Sequence, residues 1–401
     1  MFRLILLASI VAVPLTAQLA VRAETLHTMA GEPIADAVVL IGDDGTITAV
    51  GPASEVSVPS GVPTLEAAVV TPGLIDGRST IGLSGYLNQN HDQDQLERSA
   101  PIQPELRAID AYNPHEPLIE WARSFGVTTL HTGHAPGAII SGQTMIVKTR
   151  GNTIEEALVS PLAMIAATLS DSARGRNNKS PGTRAKMAAM LRESLLEARH
   201  YAAKAAEAVP GKEPKRDLRL EALGKVLSGE VPLLVTAHRS HDILTALRIA
   251  EEFQIQLVLD GAAEAYEVLD QIRASSFPVL LHPTMARSGG EREYLSMETA
   301  LHVRNAGVLF ALQSGFEPYV PKSRLVLFEA GIAAANGLSF TQALAAVTID
   351  AARILGVDDR IGSIEVGKDG DLALYDGDPF EYTTHAVGAV IEGEIVSRET
   401  R

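Results

Sequence analysis

Four histidines close or follow apolar, β-branched runs of the chain: His131 and His134 after 127–131, His238 after 233–237, and His282 after 278–281. Imidazole titrates near neutrality and, when neutral, ligates divalent metals, so histidines carried to one mouth admit three chemistries. His134, His238 and His282 together could hold one divalent ion such as zinc, with an open fourth position and His238 as its clearest ligand. The same three could serve as metal-free acid/base groups, with the permanently charged Arg78 and with His131 contacting an anionic substrate. They could also simply bond loop carbonyls. Asp92 and Asp94 lie in a densely polar stretch, 88–97, that reads as a solvated lid. There is no cysteine, so a metal would need His, Asp, Glu or a modified Lys, and a disulfide framework is excluded. Gly133, Gly137 and Gly142 have no phosphate-binding spacing, and no Ser-His-Asp ordering stands out.

The elements that must position these residues follow from the hydrophobic pattern. Residues 37–41, 46–50 and 64–70 are short β-branched runs separated by turns such as Gly42-Asp43-Asp44-Gly45, and the same texture returns at 363–366, 372–375, 389–391 and 394–396. They predict one small β-sandwich built from both chain ends, 24–71 and 357–401. Between them, over 72–356, apolar strands alternate with amphipathic helices, the rhythm of parallel βα units. Strands are expected at 74–80, 127–131, 144–149, near 157–165, and at 233–238, 256–260, 278–282 and 308–313. That number predicts an α/β fold of the (β/α)8 TIM-like barrel type, whose chemistry sits at the C-terminal strand ends. Helices fit over 183–208, with Met187, Leu191, Leu195 and Ala198 on one face, and over 243–253 after Asp242 as N-cap. Residues 177–182 read as an exposed loop.

The chain's 401 residues, 46% hydrophobic and 21% charged, suffice for one barrel and a smaller domain. Its start, Met1-Phe2-Arg3 followed by an apolar run to Val21 and then Ala23-Glu24, reads as a signal segment over 1–23. Export to the periplasm or beyond, with no stable membrane span after cleavage, is the expectation. The formal net charge of −15 argues against nucleic acid as a partner, because phosphate backbones are bound by clustered Lys and Arg. A small-molecule substrate or ligand is expected instead.

The run Val70-Thr71-Pro72-Gly73-Leu74-Ile75-Asp76 resembles the signature of the amidohydrolase superfamily, in which such a turn enters the first barrel strand. Pro104 to Pro114, Gly126-Val127-Thr128-Thr129, Ser141-Gly142-Gln143, Ala237-His238-Arg239 and the tail Ile354 to Ser363 with Gly367-Lys368 and Asp371 resemble its imidazolonepropionase-like branch. The resemblance implies the barrel-plus-sandwich fold and hydrolysis of C–N bonds in amide, cyclic amide or peptide-like compounds. It also implies metal ligands. The family's two strand-one histidines fall on Arg78 and Thr80, its strand-five histidine on His238, its strand-six histidine at or beside Gly261 with Asp260 adjacent, and its strand-eight aspartate near Ser314-Gly315. Lys148 compares with a carbamylated bridging lysine or with a lysine covering the barrel mouth. The expectation is therefore a degenerate metal centre. Two functions remain open: a hydrolase with a site rebuilt around His238, or a non-catalytic relative acting as a ligand-binding module, a homo-oligomer or the partner of an active paralogue.

Overall fold

The computed structural model describes residues 17–87, 89–175, 180–316 and 325–401. Strands β1 (Ala17–Leu26), β2 (Ile34–Gly42), β3 (Ile47–Pro52) and β4 (Thr64–Pro72) open the chain. Eight more follow: β5 (Leu74–Ser79), β6 (Val127–Gly133), β7 (Ile140–Lys148), β8 (Leu158–Thr168), β9 (Leu233–Ala237), β10 (Leu257–Gly261), β11 (Val279–Leu281) and β12 (Phe310–Ala311). The chain ends with β13 (Leu372–Tyr375), β14 (Ala386–Ile391) and β15 (Glu394–Ser397).

The chain ends meet in one seven-stranded sheet of order β15-β14-β13-β4-β1-β2-β3, the composite domain expected from the two ends of the sequence. Pairing is antiparallel except between β1 and β4, which run parallel with Val21 opposite Leu65. Alternation places Leu19, Val21 and Ala23 in one apolar cluster with Ile41 and Leu374, and Ala20 in another with Val38 and Leu40. The boundary expected after Ala23 thus falls inside β1, a strand paired on both edges. Residues 1–16 of the expected leader lie outside the described residues.

The other eight strands form a near-closed barrel in chain order. A parallel bridge between Ser79 and Gly315, with Gly315 N–H donating to Arg78 O at 3.0 Å, brings its two edges together. The expected parallel rhythm fails at one strand, since β7 runs antiparallel to both β6 and β8. The reason is length: residues 134–139 are too few for the crossover that a parallel pair requires. Between β8 and β9 the helices Arg184–Ala206 and Leu218–Leu227 supply such a connection. Thr183 caps the first by accepting from Lys186 N–H at 3.2 Å, and Met187, Leu191, Leu195 and Ala198 are buried beneath it. The helix after β9 begins earlier than expected, at Ser240–Phe253, so Asp242 sits in its first turn and is not the N-cap. Asp242 instead accepts from Arg184 Nε at 3.0 Å. No helix among the described residues is long and apolar enough to cross a membrane.

Candidate functional site

The barrel interior is built in layers. Ile75, Met164, Leu234, Val258, Leu280 and Ala311, one from each of six strands, pack with the helix Ile349–Leu355 into an apolar floor. Two residues further along each strand, on the same face, the chemistry turns polar: Thr236 above Leu234, Asp260 above Val258, His282 above Leu280 and Gln313 above Ala311. Thr236, Asp260 and Gln313 bond to one another. Thr236 Oγ1 donates to Asp260 Oδ2 at 2.5 Å, while Gln313 Nε2 donates to Asp260 Oδ1 at 2.7 Å and to Leu280 O at 3.0 Å.

Arg78, near the end of β5, is 3% exposed. One Nη donates to the His134 carbonyl and the other to Ser79 O at 3.4 Å, whereas Nε has no hydrogen-bond partner. Burial lowers the guanidinium's pKa, and the charges of Asp260 and then Asp76 oppose that effect. Asp76 lies at the seam between β5 and the segment after β12. Its Oδ1 accepts from Ser314 N–H at 2.9 Å and Arg78 N–H at 3.2 Å, and its Oδ2 accepts from the Ser314 hydroxyl. Burial nonetheless pushes its carboxyl up to about 6.

The four histidines occupy three environments. His131 is enclosed between strands: Nδ1–H donates to Gly77 O at 2.7 Å, so Nε2 must accept, and Thr144 Oγ1 meets it at 2.7 Å. Burial, reinforced by Arg78, holds it down at about 3. With both nitrogens satisfied and no accessible surface, His131 is a brace between strands, not the substrate contact that its sequence position suggested. His134 rests on bare Gly142, where a Cβ would come within 2.3 Å of its Cδ2; no hydrogen bond of good geometry reaches either ring nitrogen, although backbone groups of Gln95 and Leu106 approach the ring. Burial and then Arg78 lower it to about 4. His238 and His282 form the third environment. His238 rests on Gly261, Nδ1 unpartnered, and is lowered to about 3 by burial, then Arg292 and His282. His282 donates Nδ1–H to Pro283 O at 2.9 Å, leaves Nε2 unpartnered, and is lowered to about 4, chiefly by burial.

His238 and His282 therefore influence each other electrostatically, while His134 is influenced by Arg78. No three His, Asp or Glu side chains among the described residues stand close enough to hold a metal ion, so the expected grouping of His134, His238 and His282 is not formed. Neighbouring side chains at the ends of β5 and β10 are otherwise engaged. Arg78 brings a positive charge to the end of β5, and Thr80 shares a 2.8 Å bond with Ser84. Asp260 already accepts from Thr236 and Gln313. A Cβ at position 261 would lie 2.5 Å from His238 Cε1, leaving no room for a ligand there. Lys148 is also relocated. Because β7 is antiparallel, its end lies on the face opposite the mouth, where Lys148 pairs with Asp371, with Asp369 at 3.0 Å and with Glu392 at 4.0 Å. It neither bridges metals nor covers the mouth. In the loop after β5, Asp92 folds over Gly85, and Gly85 N–H donates to Asp92 O at 2.7 Å, making a small hairpin. Asn88 of that loop lies outside the described residues.

Sequence reasoning passed over Thr236 and Gln313 as site residues. The signal was present in the two-residue step from Leu234 to Thr236 and from Ala311 to Gln313, each leading from the apolar floor to the polar layer. Above that layer, a cleft of about 440 Å³ opens among the loops after β8, β9 and β11, lined by Asp171, Arg184, Arg239, His241, Glu291 and Glu293.

A near-closed eight-stranded barrel with a polar layer toward its C-terminal ends, joined to a sheet made from both chain termini, defines an α/β barrel protein with a composite second sheet. Comparison with known proteins agrees. The signature of the Amidohydrolase family matches residues 271–397. The crystal structure of an amidohydrolase from Thermotoga maritima MSB8 superposes with a TM-score of 0.88 at 30% identity, covering 95% of this chain and 100% of that one. Amidohydrolase tasK of Hapsidospora irregularis is 26% identical over 378 residues, which are 85% of this chain and 38% of that protein's length. An imidazolonepropionase of Rhizobium rhizogenes is 24% identical over 381 residues, 88% of this chain and 90% of that one. The chain belongs to the amidohydrolase family.

Proposed function

We propose that this amidohydrolase-family member does not carry out metal-dependent hydrolysis and works as a binding barrel. Its ligand class is small amide or peptide-like compounds, the class that the family resemblance implies. The observation that carries this reading is the buried Arg78, which puts a fixed positive charge, held by the His134 and Ser79 carbonyls, at the family's strand-one ligand position. A metal-activated water needs several neutral or anionic donors converging on one open position. Here the carboxylates are committed to Ser314, Thr236 and Gln313, and the remaining imidazoles are a pair, not a triad.

A second reading, a C–N hydrolase rebuilt around His238, is favoured by one observation: His238 Nδ1 and His282 Nε2 both lack partners near the mouth. Against it, imidazoles held at about 3 and 4 are weak general bases at neutral pH. The deciding experiment is metal analysis of protein purified without chelators, alongside a turnover screen of cyclic amides and dipeptides. The binding reading expects less than about a tenth of an equivalent of zinc, short of any structural or catalytic stoichiometry, and no turnover. Stoichiometric metal, or turnover abolished by His238→Ala, would establish the hydrolase instead.

A further inference from the structure

The segment after β11 has two firm ends and a loosely held middle. At its start, Thr284 Oγ1 donates to Glu329 O at 3.1 Å and Met285 N–H to Glu329 Oε2 at 2.9 Å. At its end, Thr299 and Ala300 are buried in the first turn of the helix Thr299–Asn305. Between them, over 287–298, no residue is buried, and Gly289 and Gly290 take φ values of +148° and +56° with open space where a Cβ would stand. A stretch with so little apolar burial is held by its polar contacts and is among the first to open.

Those contacts run across the barrel mouth. Tyr294 O accepts the Tyr266 hydroxyl, from the loop after β10, at 2.8 Å. Arg239, just after β9, donates to Gly290 O at 3.2 Å, pairs with Glu293 at 3.8 Å and lies over the Tyr294 ring. Glu291 reaches the loop after β8: one carboxylate oxygen accepts Asp171 N–H at 2.6 Å, and the other pairs with Arg184, itself held by Asp242 at 3.0 Å. The segment therefore leaves β11, passes the ends of β10 and β9, and is tied down beyond β8, the four strands being neighbours in that order. The charges lining the cleft beside it are spent on one another, across loops.

We infer that residues 287–298 form a lid across the barrel mouth, latched by Glu291 to Asp171 and Arg184 and by Arg239 to Gly290 and Glu293, and that releasing the latch admits small molecules to His238 and His282. His238 directly precedes Arg239, and His282 stands at the root of the lid. After burial, the charge that most lowers His238 is Arg292 of the same segment. The inference goes beyond the binding reading and does not depend on it, because a lid serves a binding barrel and a hydrolase alike.

The test uses the full chain in native buffer, with trypsin and diethyl pyrocarbonate as probes and mass spectrometry to map the products. Trypsin must draw several residues into an extended form, so cleavage after Arg287 reports opening. Cleavage after exposed Lys212, in the linker between the helices Arg184–Ala206 and Leu218–Leu227, is the reference. Relative to it, Glu291→Gln should speed cleavage after Arg287 about fivefold at low salt, and raising NaCl from about 0.05 to about 0.5 M should speed it in the wild type but little in the variant. Diethyl pyrocarbonate acylates an unprotonated imidazole nitrogen. It should modify His282, 3% exposed with Nε2 unpartnered, faster in the variant, with exposed His200 as the reference. Equal Arg287 cleavage in variant and wild type would overturn the latch, and faster cleavage with unchanged His282 labelling would overturn the covering role. If Glu291→Gln loosens the whole fold, cleavage at both sites rises alike and the wild-type salt series decides: a ratio that climbs with salt supports the latch, and a flat ratio overturns it. Stoichiometric metal or turnover in the wild type would sink the binding reading and leave this result standing.

Discussion

At the scale of single residues, the two most instructive side chains are His131 and Thr144, because a histidine near a barrel mouth invites a catalytic reading that its bonds refuse. Nδ1–H of His131 is committed to Gly77 O, so Nε2 can only accept, and the Thr144 hydroxyl must donate to it. The same hydroxyl then uses a lone pair to accept Met164 N–H at 3.1 Å, linking β5, β6, β7 and β8 through two side chains. Thr144→Val keeps the shape, removes the hydroxyl and strands two buried partners. The expected cost is about 2–6 kcal/mol, since each of the two orphaned buried groups forfeits about 1–3 kcal/mol. Urea denaturation of the variant beside wild type checks this, and a loss below about 0.5 kcal/mol, the range of ordinary surface substitutions, would show that the hydroxyl is not the brace described. Nothing in the sequence distinguishes His131 from His134, three residues on. One is satisfied on both nitrogens and the other on neither, because Thr144 and Gly77 come from neighbouring strands whose register a single sequence does not reveal.

At the scale of elements, β1 sets the sharpest expectation. It lies between β2 and β4, and Leu19, Val21 and Leu26 are each at most 3% exposed. Cleavage after Ala23 would delete the seven residues Ala17 to Ala23 from a ten-residue strand and leave β2 and β4 with unpaired inner edges. N-terminal sequencing of the folded protein, recovered from whichever compartment holds it, should therefore find Leu19 to Ala23 retained. A stable mature chain beginning at Glu24 would show that the sheet closes without β1. The apolar run that reads as a leader and the strand that anchors the sheet share residues, and hydrophobicity alone cannot apportion them. The barrel strands were legible because parallel strands covered on both faces are continuous β-branched runs bounded by turns, as in Leu233 to Ala237. The direction of β7 was not, since an apolar run reads the same both ways; the clue was the short link 134–139. That reversal moved Lys148 from the mouth to the far face, so a topological error became an error about chemistry.

At the scale of the whole molecule, Lys148 becomes part of an ionic junction. With Arg150 and Arg360 it meets Asp369, Asp371 and Glu392, tying the end of β7 to the C-terminal segment of the other sheet. The charges that remain buried elsewhere decide how the molecule answers to pH. His131, His134, His238 and His282 are lowered to about 3, 4, 3 and 4, so the folded chain resists protonating them while the unfolded chain takes up protons near pH 6.5. Stability from these groups is present above pH 6.5 and is lost as pH falls toward their folded values. Asp76 has the opposite sign, because its carboxyl, raised to about 6, gains a proton more readily in the fold as pH falls. Between pH 7 and 5.5 each histidine costs about 1 kcal/mol, together several kcal/mol, whereas Asp76 alone returns about 1 kcal/mol. The histidines win, and their loss rivals a domain's entire stability of about 5–15 kcal/mol. Denaturant midpoints should fall steeply from pH 7 to 5.5, and Asp76→Asn should make the fall slightly steeper by removing an opposing group. Midpoints that held constant across this range would mean that the imidazoles are protonated in the fold, and the neutral, tightly packed polar layer described for the barrel mouth would have to be redrawn.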